Sequence, residues 1–257
     1  MRIIRYLDAI GRAHYGAEQS DGSVRHISGD VFGQFEVTAM RADVRKRLAP
    51  VQPTQILGVG LNYRQHALES GMTAPELPVL FVKGINTLQN PGDPILIPTR
   101  LASSEVDYEC ELAVVIGKAC KNVSRERALE YVLGYTCAND VSARDWQIKK
   151  GGGQWCRGKF FDTFCPLGPW IDTEFLPGSQ RITAHVAGEL KQDAKLSDMV
   201  FDVPTIIEFV TQVMTLLPGD VILTGTPSGI GPMSEGKDVL VSIDGLGTLR
   251  NRVSNRG

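Results

Sequence analysis

Apolar positions along this chain cluster in short runs bounded by Gly, Pro, Asn and Asp, the pattern of a protein built mostly from strands. Asp21-Gly22 lies between apolar patches around Tyr15 and Val24 and predicts a hairpin turn. Ala113 to Ile116 form an uninterrupted apolar run that calls for a buried strand, and Val221-Ile-Leu-Thr224 predicts another. A 3.6-residue period appears over 204–217. There Ile206, Ile207, Val210, Val213, Met214 and Leu217 share one face, Pro204 suits the first helical position, and Pro218-Gly-Asp220 ends the helix. A second helix is expected after Ser124, with the Ser124 hydroxyl as cap and Glu126 and Glu130 on the outer face. The stretch Tyr131-Val-Leu-Gly-Tyr-Thr-Cys-Ala138 reads as a helix end passing into a strand. The breaker Ala49-Pro-Val-Gln-Pro53 divides the chain into a small N-terminal β subdomain, residues 1–50, and a larger domain, 51–257, in which the chemistry is expected. The fold class predicted is β-rich α+β, without internal repeats.

Composition narrows the partners. The 257 residues are 42% hydrophobic and 22% charged with formal net charge −2, so no basic excess points to nucleic acid and a small-molecule partner is expected. The five cysteines, Cys110, Cys120, Cys137, Cys156 and Cys165, contain no Cys-x-x-Cys pair, which argues against a disulfide framework or zinc ribbon and for a reducing cytoplasm. No stretch has the length of a signal peptide's apolar region or of a membrane span, so no membrane association is expected.

The chemistry concentrates in Val106-Asp-Tyr-Glu-Cys-Glu-Leu-Ala-Val-Val-Ile-Gly117. Side chains alternate along a strand, so Glu109 and Glu111 project from one face and Cys110 from the other. Two carboxylates beside an apolar core repel each other unless a proton or a cation lies between them. Asp140 supplies a third acid at the end of the run through Ala138. An all-oxygen set without clustered His or Cys favours Mg²⁺ or Mn²⁺, with Ca²⁺ also accommodated, over zinc. Taken alone, Glu-x-Glu also fits exposed acids at a strand end.

Several segments occur in one order: Asn62-Tyr-Arg-Gln-His66 with Glu69, Glu109-Cys-Glu-Leu-Ala-Val-Val-Ile-Gly117, Asp140-Val-Ser-Ala-Arg-Asp145 with Gln147, Gly158-Lys-Phe-Phe-Asp162, and Pro218-Gly-Asp-Val-Ile-Leu-Thr-Gly-Thr-Pro227. From residue 55 to the C-terminus the chain resembles the fumarylacetoacetate hydrolase family. Within it, Asp140-Val-Ser-Ala-Arg-Asp-Trp-Gln147 and Lys159-Phe-Phe-Asp-Thr-Phe-Cys-Pro166 are similar to a branch that includes acylpyruvate hydrolases and oxaloacetate tautomerases. The resemblance implies mixed sheets rolled into a sandwich or barrel-like catalytic domain, a homodimer, and Glu109, Glu111 and Asp140 as metal ligands. It also implies a mobile lid carrying His66 and Glu69. Two positions depart from the family pattern: Leu61 stands where acylpyruvate-cleaving relatives often have Arg, and Ala187 precedes Gly188 where Asn is usual.

These residues suggest roles. His66 and Glu69, three apart, face the same way on a helical turn, so the carboxylate orients a basic imidazole. Lys159 is expected to stabilise negative charge on substrate oxygen, and Gln147 to hydrogen-bond the substrate or the attacking water. The Thr224-Gly225-Thr226 turn, with Gly225 and Thr226, and Tyr63 complete the expected substrate-binding set. Lys83 is a secondary candidate, while Arg144 and Asp145 read as a structural ion pair. The leading expectation is hydrolysis of a carbon–carbon bond in a β-diketo acid, such as an acylpyruvate or fumarylpyruvate, through an enolate. Alternatives on the same site are oxaloacetate tautomerisation or decarboxylation and isomerisation of a hydroxyheptadienedioate. Two other classes are a non-catalytic binding protein and an NAD-binding oxidoreductase. The latter rests on Gly58-Val-Gly60, which lacks the third glycine of the dinucleotide fingerprint.

Overall fold

The computed structural model describes residues 1–255. Its centre is a twelve-stranded mixed sheet. From one edge the order runs Phe35–Arg41, Val24–Gly29, Ala13–Glu18, Arg2–Leu7, Cys165–Asp172, Val132–Asn139, Cys110–Ile116, Val221–Leu223, Ile56–Gly60 and Val79–Lys83, with two short strands pairing off this path. Ile56–Gly60 runs parallel to Val221–Leu223, whereas Cys110–Ile116 is antiparallel to both of its neighbours. A five-stranded sheet, ordered Glu189–Lys195, Arg181–Val186, Asp238–Ile243, Gly247–Asn255 and Ile95–Ile97, packs against it. A three-stranded ribbon of Ser142–Ala143, Val106–Tyr108 and Gly231–Pro232 lies beside the acidic segment. The architecture is β-rich with mixed sheets, as expected, but both larger sheets stay open rather than closing into a barrel.

The central strand Cys110–Ile116 explains how the acids are placed. All seven of its residues are buried. Cys110, Leu112, Val114 and Ile116 join one apolar cluster with Ile182, Val241 and Leu249 of the second sheet. Ala113 and Val115 join another, with Ile3, Ile56, Ile171 and Val221. Glu111 has the parity of Ala113 and Val115, so it extends the second face where that apolar layer ends. The N-terminal strands enter the same layer, because Arg2–Leu7 pairs with Cys165–Asp172 and Ile3, Ala17 and Ile27 belong to this cluster.

The predicted hairpin forms, with Gln19 N–H donating to Ser23 O at 2.8 Å across Asp21-Gly22. The predicted long helix begins one residue early, as Val203–Val213, capped by the Asp202 carboxylate, which accepts from Thr205 N–H at 3.0 Å. Its buried stripe is Val203, Ile206, Ile207 and Val210. Val213, the last helical residue, is instead 74% exposed, and Leu217, beyond the point where Met214 takes extended backbone, is 45% exposed. After Ser124 the chain makes a 3₁₀ helix, Arg125–Tyr131, and the Ser124 hydroxyl caps no backbone N–H. Glu126 and Glu130 lie outside as expected, with Glu130 paired to Arg127 at 3.0 Å. Gly58 and Gly60 fall within a strand rather than a helix-opening loop, so the dinucleotide reading loses its structural context. Among the described residues no helix is long and apolar enough to cross a membrane.

Candidate active site

Glu109 sits at the junction of Val106–Tyr108 and Cys110–Ile116, Glu111 in the second of these strands, and Asp140 directly after Val132–Asn139. The register that opposes Cys110 to Asn139 brings the three together, and Asp140 N–H donates to Glu109 O at 2.9 Å. One carboxylate oxygen from each lies within 4.8 Å of the others, and the three residues are 4%, 1% and 0% exposed. The convergence expected from strand alternation is therefore realised.

Cations surround two of the acids. Lys159 Nζ donates to Asp140 Oδ2 at 2.5 Å, Ser142 Oγ at 2.7 Å and Glu109 Oε2 at 3.0 Å. Lys83 Nζ donates to the other Asp140 oxygen at 2.6 Å and to Val141 O at 3.2 Å. Arg144 donates to Glu109 Oε1, to Asp107 Oδ2 at 3.1 Å and to Gln147 Oε1 at 2.6 Å. Although burial opposes its ionisation, Lys159 and Arg144 hold the Glu109 carboxyl below the usual carboxylate range. Glu111 differs. Its hydrogen-bond donor is the Gly225 N–H at 2.7 Å, and burial, followed by the charges of Asp140 and Glu109, pushes its carboxyl well above the usual range. A hard divalent cation fits this imbalance: three oxygen donors converge, and the least compensated of them, Glu111, makes no ion pair among the described residues.

Local backbone explains the placement of Lys159. The short helix α2, Trp155–Lys159, lies against the π-helical turn Asp145–Lys149. Gly158 makes the approach possible, since a Cβ there would stand 2.6 Å from Gln147 Cβ and 2.7 Å from Ala143 O. Above the acids is a cavity of about 260 Å³, lined among others by His66, Glu69, Gln147, Lys159 and Thr226 as well as Glu109 and Glu111. Helix α1, Arg64–Glu69, supplies the rim. His66 Nδ1 lies 3.4 Å from Glu69 Oε2, and Gly229 N–H donates to the same carboxylate at 3.0 Å.

Of the expected substrate-binding residues, Thr226 lines the cavity, while Gly225 and Tyr63 do not. Gly225 N–H is directed to Glu111, and Thr226 Oγ1 accepts from Gln192 Nε2 at 2.8 Å. Tyr63 is 2% exposed, lies outside the cavity lining and has a buried hydroxyl without a protein partner. Asn62 acts as a clamp, bonded to Thr224 O, Phe201 O and Phe201 N–H. The expected Arg144–Asp145 pair does not form. Adjacent residues in a helical turn point apart, and Asp145 instead accepts from Lys150 at 2.8 Å and Ser103 at 2.6 Å. Sequence reasoning missed Asp107, Gln192 and Trp155. Asp107 had a visible sign, because it continues the two-residue spacing of Glu109 and Glu111.

The family profile described as fumarylacetoacetate (FAA) hydrolase C-terminal matches residues 55–254. Over 217 residues, 80% of this chain and 67% of the relative, the sequence is 45% identical to a protein of Xenopus laevis named oxaloacetate tautomerase fahd2, mitochondrial. A 5-carboxymethyl-2-hydroxymuconate delta-isomerase from Mycobacterium smegmatis superposes with a TM-score of 0.91 at 40% identity, covering 100% of both chains. A 2-hydroxyhepta-2,4-diene-1,7-dioate isomerase from Mycobacterium marinum gives 0.89 at 40% identity, covering 100% of this chain and 99% of that one. With a profile spanning most of its length and relatives this similar, the chain belongs to the fumarylacetoacetate hydrolase family.

Proposed function

We propose that this protein is a divalent-metal-dependent enzyme that hydrolyses a carbon–carbon bond in a small β-diketo acid of the acylpyruvate type. One observation carries the reading: three buried carboxylates converge beneath a cavity whose rim holds a histidine–glutamate pair. Glu109, Glu111 and Asp140 would hold the ion, Mg²⁺ or Mn²⁺ by donor type. When bound, it supplies a Lewis acid for the carboxylate and keto oxygens of a 2-oxo acid.

In this reading the Nδ1–H of His66 faces Glu69, which leaves Nε2 to take a proton from water. That water adds to the distal carbonyl, the carbon–carbon bond breaks toward the pyruvate side, and the proton held by His66 returns to carbon. Lys159 and Arg144 stabilise negative charge developing on substrate oxygen, while Gln147, held through its Oε1 by Arg144, turns its amide N–H groups to the ligand. Proton transfer without water addition is a second reading, favoured by the isomerase and tautomerase names of the relatives. Incubation with Mg²⁺ and acetylpyruvate, fumarylpyruvate or enol-oxaloacetate, with products identified by NMR, separates the two. Hydrolysis predicts pyruvate plus the free acyl acid, abolished by EDTA. Tautomerised oxaloacetate with every acylpyruvate left intact would reject it in favour of the second.

A further inference from the structure

The outer half of the cavity differs chemically from its floor. Leu61, Met72, Ile148, Trp155 and Ile230 belong to its apolar lining, with Met72 and Ile148 38% and 40% exposed at its mouth, while Phe81 reaches down to the floor, where Lys159 Nζ stands 4.7 Å from its ring centroid. The wall is built into the backbone. Trp155 lies over Gly60, where an added Cβ would stand 2.5 Å from the indole ring, and the Phe81 and Trp155 ring centroids are 5.9 Å apart. Helix α2 thus presents an aromatic wall at its first residue and the ammonium of Lys159 at its last.

The charges give the second half of the argument. The Arg and Lys side chains among the described residues lining the cavity are Arg144 and Lys159, and both are engaged by the floor. Glu69 adds a negative charge at the rim. Beneath them four carboxylates, Asp107, Glu109, Glu111 and Asp140, meet three cations, Lys83, Arg144 and Lys159. A divalent ion turns that deficit into one surplus positive charge, which a single ligand carboxylate cancels. A second carboxylate would meet the apolar side chains of the outer half, where the lining offers no Lys or Arg among the described residues beyond the two bound to the floor.

We propose that this outer half is a subsite for an uncharged apolar tail, so that the protein selects 2-oxo acids with a short aliphatic or aromatic tail over dicarboxylic ones, with Trp155 and Ile148 determining the choice. The inference rests on the 2-oxo acid reading for the other end of the ligand. It separates this chain's substrate from the dioate named for the Mycobacterium marinum isomerase.

Titration calorimetry in Mg²⁺ with three probes tests it: oxalate, which occupies the floor alone, 2-oxohexanoate and 2-oxoadipate. The last two share a chain length and differ in the distal carboxylate. The expected result is binding of 2-oxohexanoate at least about tenfold tighter than 2-oxoadipate, a ratio lowered by Trp155→Ala and inverted by Ile148→Arg. Because Ile148 is exposed at the mouth, that variant tests the wall even if Trp155→Ala fails to fold. Oxalate binding with 2-oxoadipate bound as tightly as 2-oxohexanoate overturns the tail assignment alone. Absence of oxalate binding overturns the 2-oxo acid reading and the tail assignment with it.

Discussion

The floor and the rim of the cavity are built by opposite rules. The floor acids lie on or beside central strands, almost wholly buried, and Asp140 is gripped by two lysines at 2.5 and 2.6 Å. The rim is a six-residue helix without a side-chain cap: His66 is buried on its inner side, the Glu69 side chain is 36% exposed, and the contact between them is stretched to 3.4 Å. The difference teaches which job each part suits. Buried charges resist rearrangement, so the proposed ion ligands on the floor are fixed before anything binds. A proton carrier must meet water and close over a ligand, which a short, partly exposed helix allows.

The largest effect that sharpens this contrast is Asp140→Ala. It leaves Lys83 and Lys159 buried beside one fewer carboxylate, so a loss of about 3–5 kcal/mol in chemical denaturation is expected, together with loss of Mg²⁺ binding. Wild-type stability in this variant would mean the floor is not the fixed body. His66→Ala should act on the other side only, with turnover lowered about 10²–10⁴-fold while Mg²⁺ affinity is kept. Parallel losses of metal affinity and turnover would erase the distinction between floor and rim.

A smaller effect concerns the support behind the floor. Burial, opposed by Arg144, raises the Asp107 carboxyl from 3.8 to about 6. A folded pKa above the unfolded one means that the stabilisation is present below about pH 4 and lost as the pH rises through about 6. In metal-free protein the stability of wild type minus that of Asp107→Asn should therefore fall between these values. A flat difference would contradict the buried placement of Asp107. The smallest effect is a control outside the cavity. Ala187 stands at φ +54°, so Ala187→Asn should add up to about 1 kcal/mol without altering turnover.

How far the sequence could be read follows the same division. The two-residue alternation that sets Glu109 and Glu111 on one face is local, and so is the position of Asp140 at a strand end; both survive in the structure. The partners were not legible. Lys83 reaches Asp140 across 57 residues and Arg144 reaches Glu109 across 35, and only the strand order brings these segments together. Adjacency even misled at Arg144 and Asp145, whose charges turn to different partners. Periodicity located the face of the 203–213 helix but not its end, because Met214 leaves the helix while the apolar spacing continues to Leu217. The departure at Ala187 was legible as a turn, since Asn tolerates left-handed backbone better than alanine.

The central claim is that three buried carboxylates share one hard ion, and Glu111 is the ligand least compensated without it. Glu111→Gln keeps the shape and the acceptor for Gly225 N–H but removes the charge. Calorimetric titration of Mg²⁺ into wild type and this variant is the most direct test. The account predicts a single ion bound by wild type and none by the variant. Equal affinity in the two proteins, or a wild type that binds neither Mg²⁺ nor Mn²⁺, would contradict it.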